Sequence, residues 1–187
     1  MNRSIMALLV SSLLAPSALP AQQVIPPTAE SDPKNQIQQQ NNAQSMSPAA
    51  FVAQAASGNM LEIQSSQLAM DRSKHDSVKQ FAKKMIKDHS GAAERMKSAA
   101  MGQPIPDNMS KAHAQMLEQL RSVDDKEFDA RYLQTQLQAH EDAVLLYEQY
   151  AATGEQESLK QYAEQMLPVL RAHLQSVKQI TAEVAPG

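Results

Sequence analysis

The chain has no cysteine and no tryptophan among its 187 residues, only 5 glycines, and just 4 % aromatic residues. The missing cysteine excludes disulfides, thiolate metal ligands, cysteine nucleophiles and a cysteine-linked lipid anchor. Stability therefore does not depend on an oxidising compartment. Few β-branched residues occur in the body of the chain, and no segment alternates apolar and polar residues as a barrel strand does. Positive charge is not in excess: 17 Lys and Arg against 20 Asp and Glu give a net charge of −3, which leaves no basic footprint for nucleic acid. No nucleophile elbow, phosphate loop or paired-carboxylate signature is present, and no hydrolase triad assembles without arbitrary choices among the serines. What remains is rich in Ala, Gln, Glu, Lys and 11 methionines, the composition of an all-α protein.

The first 21 residues read as a secretory signal peptide. Arg3 supplies the positive end, Ile5 to Leu14 is apolar apart from Ser11 and Ser12, and Leu19-Pro20-Ala21 offers a cleavage point near Ala21. The apolar run is too short to span a ~30 Å hydrocarbon core, so no transmembrane span is expected after cleavage. Export across an inner membrane to the periplasm follows, with outer-membrane association as the alternative. Residues 22–46 carry Pro26, Pro27, Pro33 and a Gln/Asn run from Gln36 to Gln44 with no apolar period. They bury too little surface to offset ordering entropy and are expected to be a disordered spacer or tether.

Residues 47–182 read as one helical domain, with 183–187 as a tail. Ser47-Pro48 is a helix start, a serine cap followed by proline in the first turn. The first helix runs to about Ser73, with Val52, Ala56, Met60, Ile63, Gln67 and Met70 as its seam, widened by Leu61 and Leu68. Small residues from Ala55 to Gly58 would admit a close neighbour. A turn at Ser73-Lys74-His75-Asp76 follows, Asp76 or Ser77 capping a second helix whose stripe is Val78, Ala82, Met85, His89, Ala92 and Met96. Gly102 to Asn108 is a break, and Ser110 to Val123 a short helix. Asp124-Asp125 caps a helix running to about Thr153, with Ala130, Leu133, Leu137, His140, Val144, Tyr147 and Ala151 as its stripe, ended by Gly154. The last helix aligns Leu159, Ala163, Met166, Leu170, His173, Val177 and Ile180 in steps of four and three. Pro168 sits inside it and should bend it. Four helices of ~25 residues, each ~38 Å long, form two hairpins joined by a longer crossover. That pattern specifies a four-helix bundle of ferritin-like topology.

In a hairpin, residues equidistant from the turn share a height. Glu62 and His89 flank the turn near His75 almost symmetrically; His140 and His173 do the same around Gln156. The three histidines lie on core stripes, and Glu62 lies one step off its own. If the hairpins pack face to face, three imidazoles and a carboxylate converge in the bundle core. Those ligand types suit Zn, Cu or Fe, and Met85, one turn from His89, suits Cu(I). Ring nitrogens ~3–4 Å apart would mark a shared ligand set, and rings ~10 Å apart would not. The competing expectation is that each histidine is a satisfied core residue. Asp88 and Glu141 adjoin core histidines in sequence but point about 100° away from the stripes; they are either partners supporting those histidines or surface charges, and surface is the preferred reading, while His75 and His113 read as surface residues.

Phe51-Val52 with Ala55-Ala56, then Gly58-Asn59-Met60-Leu61-Glu62, resembles the opening helix of a bacterial family of exported ferritin-like proteins. The family is catalogued as domain of unknown function 4142 and often labelled putative outer membrane protein. Val78-Lys79-Gln80-Phe81-Ala82, Met85 and Asp88-His89-Ser90 resemble its second helix. Phe128-Asp129, Tyr132 and His140 resemble its third, and Leu167-Pro168-Val169-Leu170 with His173-Leu174 its last. The resemblance covers about Pro48 to Ile180. It implies a ferritin-like fold in the bacterial envelope and no settled activity. Di-iron ferritins carry a Glu three residues before each of two metal-binding histidines. Here Ile86 and Leu170 stand in those places, so ferroxidase chemistry of that kind is not expected.

Two functions of different class follow. One is a periplasmic bundle binding a transition metal through Glu62, His89, His140 and His173, in metal or envelope-stress handling and without catalytic turnover. The other is a non-metal interaction or structural module of the envelope, acting on a partner that the sequence does not identify. A small redox or oxygen-handling enzyme is a third, which would need an open coordination position and a channel.

Overall fold

The computed structural model describes residues 45–184. The signal peptide, nearly all of the spacer and residues 185–187 of the tail lie outside those residues. Among the described residues there are five helices and no strand: α1 (Pro48–Arg72), α2 (Asp76–Ala100), α3 (Lys111–Ser122), α4 (Asp125–Thr153) and α5 (Glu157–Val184). No helix among them is long and apolar enough to cross a membrane.

Local signals set most boundaries. Ser47 caps α1, its hydroxyl accepting from the Ala50 N–H at 3.3 Å, with proline in the first turn. Ser110 caps α3 by accepting from the His113 N–H at 3.2 Å. The α1–α2 turn differs from expectation: His75 occupies the cap position and its side chain makes no capping bond. Ser73 stabilises the turn instead, its hydroxyl accepting from the His75 N–H at 3.2 Å. Gly154 ends α4 in extended backbone (φ −63°, ψ 147°) that any residue adopts, so its glycine is required by space. A Cβ there would lie 2.5 Å from both the Tyr150 carbonyl and the Tyr150 ring. Pro168 lies on the exposed face of α5, which continues unbroken around it to Val184.

The two hairpin pairs, α1 with α2 and α4 with α5, pack through α1–α4 and α2–α5 contacts, and α3 lies against α1 and α4. Two anchors hold the connections. Arg72 donates to the carbonyls of Arg121 (3.2 Å) and Val123 (2.6 Å), pairs with Asp125 at 2.8 Å, and lies 4.4 Å over the Phe128 ring. Gln156 Nε2 donates to the carbonyls of Ala99 and Ala100 at 3.0 and 3.2 Å, tying the α4–α5 turn to the end of α2.

The apolar core falls into two large clusters and a small third one, Leu61, Leu117 and Ala139, that joins α1, α3 and α4. One cluster holds Phe51, Ala92, Met96, Tyr147, Tyr150, Tyr162 and Leu170, with Phe51 stacked on Tyr150 at 4.1 Å between centroids. The second large cluster holds Ala69, Val78, Phe81, Met85, Phe128, Tyr132 and Val177. Each fully buried large side chain stabilises the fold by roughly 1.5–3 kcal/mol. Along every long helix the chain passes from one cluster to the other, and between the two it contributes buried polar residues: Glu62, His89, Gln136, His140 and His173.

The stripes expected for α2 and α5 are the buried faces, with Ile180 only partly covered. Two expectations are corrected. In α1 the buried face runs through Leu61, Glu62, Ser65, Ser66 and Ala69, while Met60 and Ile63 are only partly buried and Gln67 and Met70 are exposed. Hydrogen bonds make that polar face tolerable: Gln136 Nε2 donates to Ser65 Oγ at 2.8 Å, and Ser66 Oγ meets Tyr132 Oη at 2.9 Å. In α4, Ala130 is exposed, and Phe128, Tyr132, Gln136 and Ala139 turn inward.

Candidate metal centre

The split core delivers Glu62 from α1, His89 from α2, His140 from α4 and His173 from α5 into one buried layer, each no more than 3 % exposed. The three imidazoles form a nearly equilateral triangle. Their centroids are 5.6 Å apart for His89–His140, and 5.4 Å for both His89–His173 and His140–His173. One nitrogen from each ring lies within 4.8 Å of the others. That bound is looser than the ~3–4 Å expected of a formed ligand set. A tetrahedral ion bonded at ~2.0–2.1 Å would draw the nitrogens to roughly 3.3 Å, a small inward movement for each ring.

Each ring is held from outside by an oxygen. His89 Nδ1 donates to Asn59 Oδ1 at 2.9 Å, and Asn59 Nδ2 donates back to the His89 carbonyl at 2.9 Å. His140 Nδ1 donates to the Gln136 carbonyl one turn earlier, at 2.8 Å. His173 Nε2 donates to Asp88 Oδ2 at 2.9 Å. These acceptors assign the tautomers, with an N–H on the outer nitrogen and a lone pair on the inner one. The inner nitrogens, His89 Nε2, His140 Nε2 and His173 Nδ1, are buried and have no hydrogen-bond partner. A buried unpaired acceptor costs about 1–3 kcal/mol. Three in one layer form an arrangement that a bound cation would satisfy. Outer N–H groups held by oxygen acceptors are also what orients imidazoles toward a metal.

Electrostatics keep the rings in ligand form. Burial pushes His140 down to about 4 and His89 well below the ordinary histidine value, and it also lowers His173. All three are neutral at pH 7, the form that binds metal. Burial pushes Glu62 up to about 8, so at neutral pH it is mostly the uncharged acid.

Glu62 joins the layer but stands apart from the ligand triangle. Its Oε2 is 3.0 Å from His89 Nδ1 and its Oε1 3.6 Å from His140 Nδ1, both outer nitrogens. Among the described residues, the group whose donor atoms lie close enough together to hold one ion is the three histidines. Asp88 corrects the surface expectation. Burial raises its carboxyl, but hydrogen bonds from Lys84 and His173 outweigh that and hold it below the ordinary value. Lys84 reaches in from the surface to pair with Asp88, its Nζ 3.2 Å from His173 Nε2. Glu141 is a surface charge as expected, paired with Lys178 at 3.3 Å. His75 is exposed. His113 is half-buried, its Nδ1 2.7 Å from Ser57 Oγ, where the small residues of α1 admit α3. Met85 is fully buried in the second apolar cluster.

The chain belongs to the family described as Domain of unknown function (DUF4142), whose model matches residues 33–180. Two solved structures share its helical fold. One is CopM in the Cu(II)-bound form, 17 % identical, covering 75 % of this chain and 99 % of that one with a TM-score of 0.64. The other is the crystal structure of a DUF305 fragment from Deinococcus radiodurans, 15 % identical, covering 73 % of this chain and 96 % of that one with a TM-score of 0.64. No curated protein matches the sequence.

Proposed function

We propose that the chain is an exported, ferritin-like helical bundle that binds one first-row transition-metal ion through His89, His140 and His173. It would serve metal or envelope-stress handling in the periplasm, without catalytic turnover. The single observation that carries this reading is the pairing of three partnerless inner nitrogens with three outer N–H groups held by Asn59, Gln136 and Asp88. Satisfied core histidines would have a partner at both nitrogens, and these do not. Imidazole triads suit Zn, Cu and Fe. The fold shared with CopM, whose structure is a Cu(II)-bound form, makes copper the first ion to try. Export rests on the sequence of residues 1–21, and the ferritin-like topology on the two hairpins joined through α3. Glu62 acts here as a partner to two rings and not as a fourth ligand.

The test is metal content after equilibration of untagged protein with Cu(II) or Zn(II) and dialysis. Wild type should retain one ion per chain. His89→Ala/His173→Ala should retain none. Equal and negligible retention by both would remove the metal reading and leave the non-metal envelope module.

A further inference from the structure

Resting on that metal reading, we infer that Lys84 restrains the centre: its ammonium competes with Asp88 for the outer nitrogen of His173 and so sets whether the inner nitrogen can bind an ion. Oxygens face the outer nitrogens of the other two rings, from Asn59 and Glu62 at His89 and from Gln136 and Glu62 at His140. His173 differs. Its Nε2 has the Asp88 carboxylate at 2.9 Å and the Lys84 ammonium at 3.2 Å, and Lys84 also pairs with that same carboxylate oxygen. An ammonium carries three donors and no lone pair. Through one atom, a neutral imidazole can donate to Asp88 or accept from Lys84, but not both.

The two choices have opposite consequences on the inner side. Donation to Asp88 keeps the ring's proton on Nε2 and leaves Nδ1 as a lone pair, the ligand form. Acceptance from Lys84 places that proton on Nδ1, where it excludes a cation. The ring's charge is the same in both. Without an ion, a proton on Nδ1 faces a layer whose other inner nitrogens have no partner, so the pairing with Lys84 favours the empty centre. An ion must therefore displace Lys84. The step is an easy one, because Lys84 lies on α2 one turn before Asp88 with its side chain half exposed, and exposed ion pairs hold weakly. Repulsion between the ammonium and a bound ion acts in the same direction. Affinity falls with the fraction of chains in the competent form, which suits an ion held for exchange over one sealed for structure.

The experiment has two arms on the untagged chain. The first reads the ring-nitrogen NMR shifts of isotope-labelled histidine in the metal-free protein near neutral pH, where a lone-pair nitrogen is resolved from an N–H. In wild type, His173 should show a mixture of the two tautomers, while His89 and His140 carry their N–H at Nδ1. Lys84→Met should move His173 to the Nε2–H form and leave the other two rings unchanged. The second arm measures Zn(II) affinity in competition with a chelator. Lys84→Met should bind about three- to tenfold more tightly than wild type, and Lys84→Arg, which keeps the charge, should stay near wild type in both arms. A wild-type His173 already wholly in the Nε2–H form would overturn the competition, and an unchanged affinity in Lys84→Met would overturn the restraint. In either case wild type still binds the ion and the metal reading stands. Wild type that binds no Zn(II) or Cu(II) ends both proposals, and the affinity arm alone separates that failure from the others.

Discussion

At the scale of single residues, the centre depends as much on what stands behind the rings as on the rings. Asn59 holds His89 through two hydrogen bonds and Asp88 holds His173 through one. Removing such a partner frees the ring to rotate and typically costs 10–100-fold in metal affinity. Asn59→Ala and Asp88→Asn should therefore each weaken ion binding by about that factor in competition with a chelator, while Glu141→Gln, at a surface pair, changes nothing. The titrating groups also set a pH profile for the metal-free chain. His140 falls from an ordinary 6.5 to about 4 on folding, so the unfolded chain takes up its proton first as pH drops, and stability is lost from pH 6.5 toward 4. Glu62 rises from 4.5 to about 8, so the unfolded chain releases its proton first, and stability is lost as pH rises from 4.5 toward 8. Melting temperature in the presence of a chelator should peak near pH 6.5, where the histidine loss begins on the acid side, and fall from there toward 8. Glu62→Gln, neutral at every pH, should flatten the alkaline side. An unchanged alkaline fall would assign it elsewhere.

At the scale of elements, α2 and α5 were readable because their inward faces are almost wholly apolar, so the period of the apolar residues is the period of burial. α1 was misread beyond Ala56 for the opposite reason. Its inward residues there include Glu62, Ser65 and Ser66, and a search for apolar spacing passes over them to Met60, Ile63 and Met70. Heights within hairpins could be counted from the turns, which is why three histidines and Glu62 could be grouped from sequence alone. The direction of Asp88 could not, because its carboxylate reaches across the α2–α5 interface; only Lys84, one turn earlier, hinted at it. Asn59, in the middle of α1, serves as a clamp on His89. The α4–α5 turn allows a sharp check. Gly154→Ala keeps an acceptable backbone but puts a Cβ 2.5 Å from the Tyr150 carbonyl and ring. A loss of about 1–3 kcal/mol in denaturant unfolding is expected, with metal content unchanged. No loss would mean that the turn opens freely.

At the scale of the whole molecule, a polar layer divides what would otherwise be one apolar core, and the division carries a cost. Replacing His89, His140 and His173 together with leucine removes three unpaired buried acceptors. The metal-free variant should melt no lower than the metal-free wild type, and it should take up no ion. In wild type, by contrast, an ion present at one hundred times its dissociation constant should add about 2.7 kcal/mol of stability. A triple variant that melted far below wild type would show that the histidines are kept for packing.

The most direct measurement is anomalous diffraction from crystals of the metal-loaded, untagged protein. The expected result is a single anomalous peak inside the triangle, about 2.0–2.1 Å from His89 Nε2, His140 Nε2 and His173 Nδ1, with Glu62 outside bonding distance. A buried layer with no peak, or ions found only on surface residues, would contradict it.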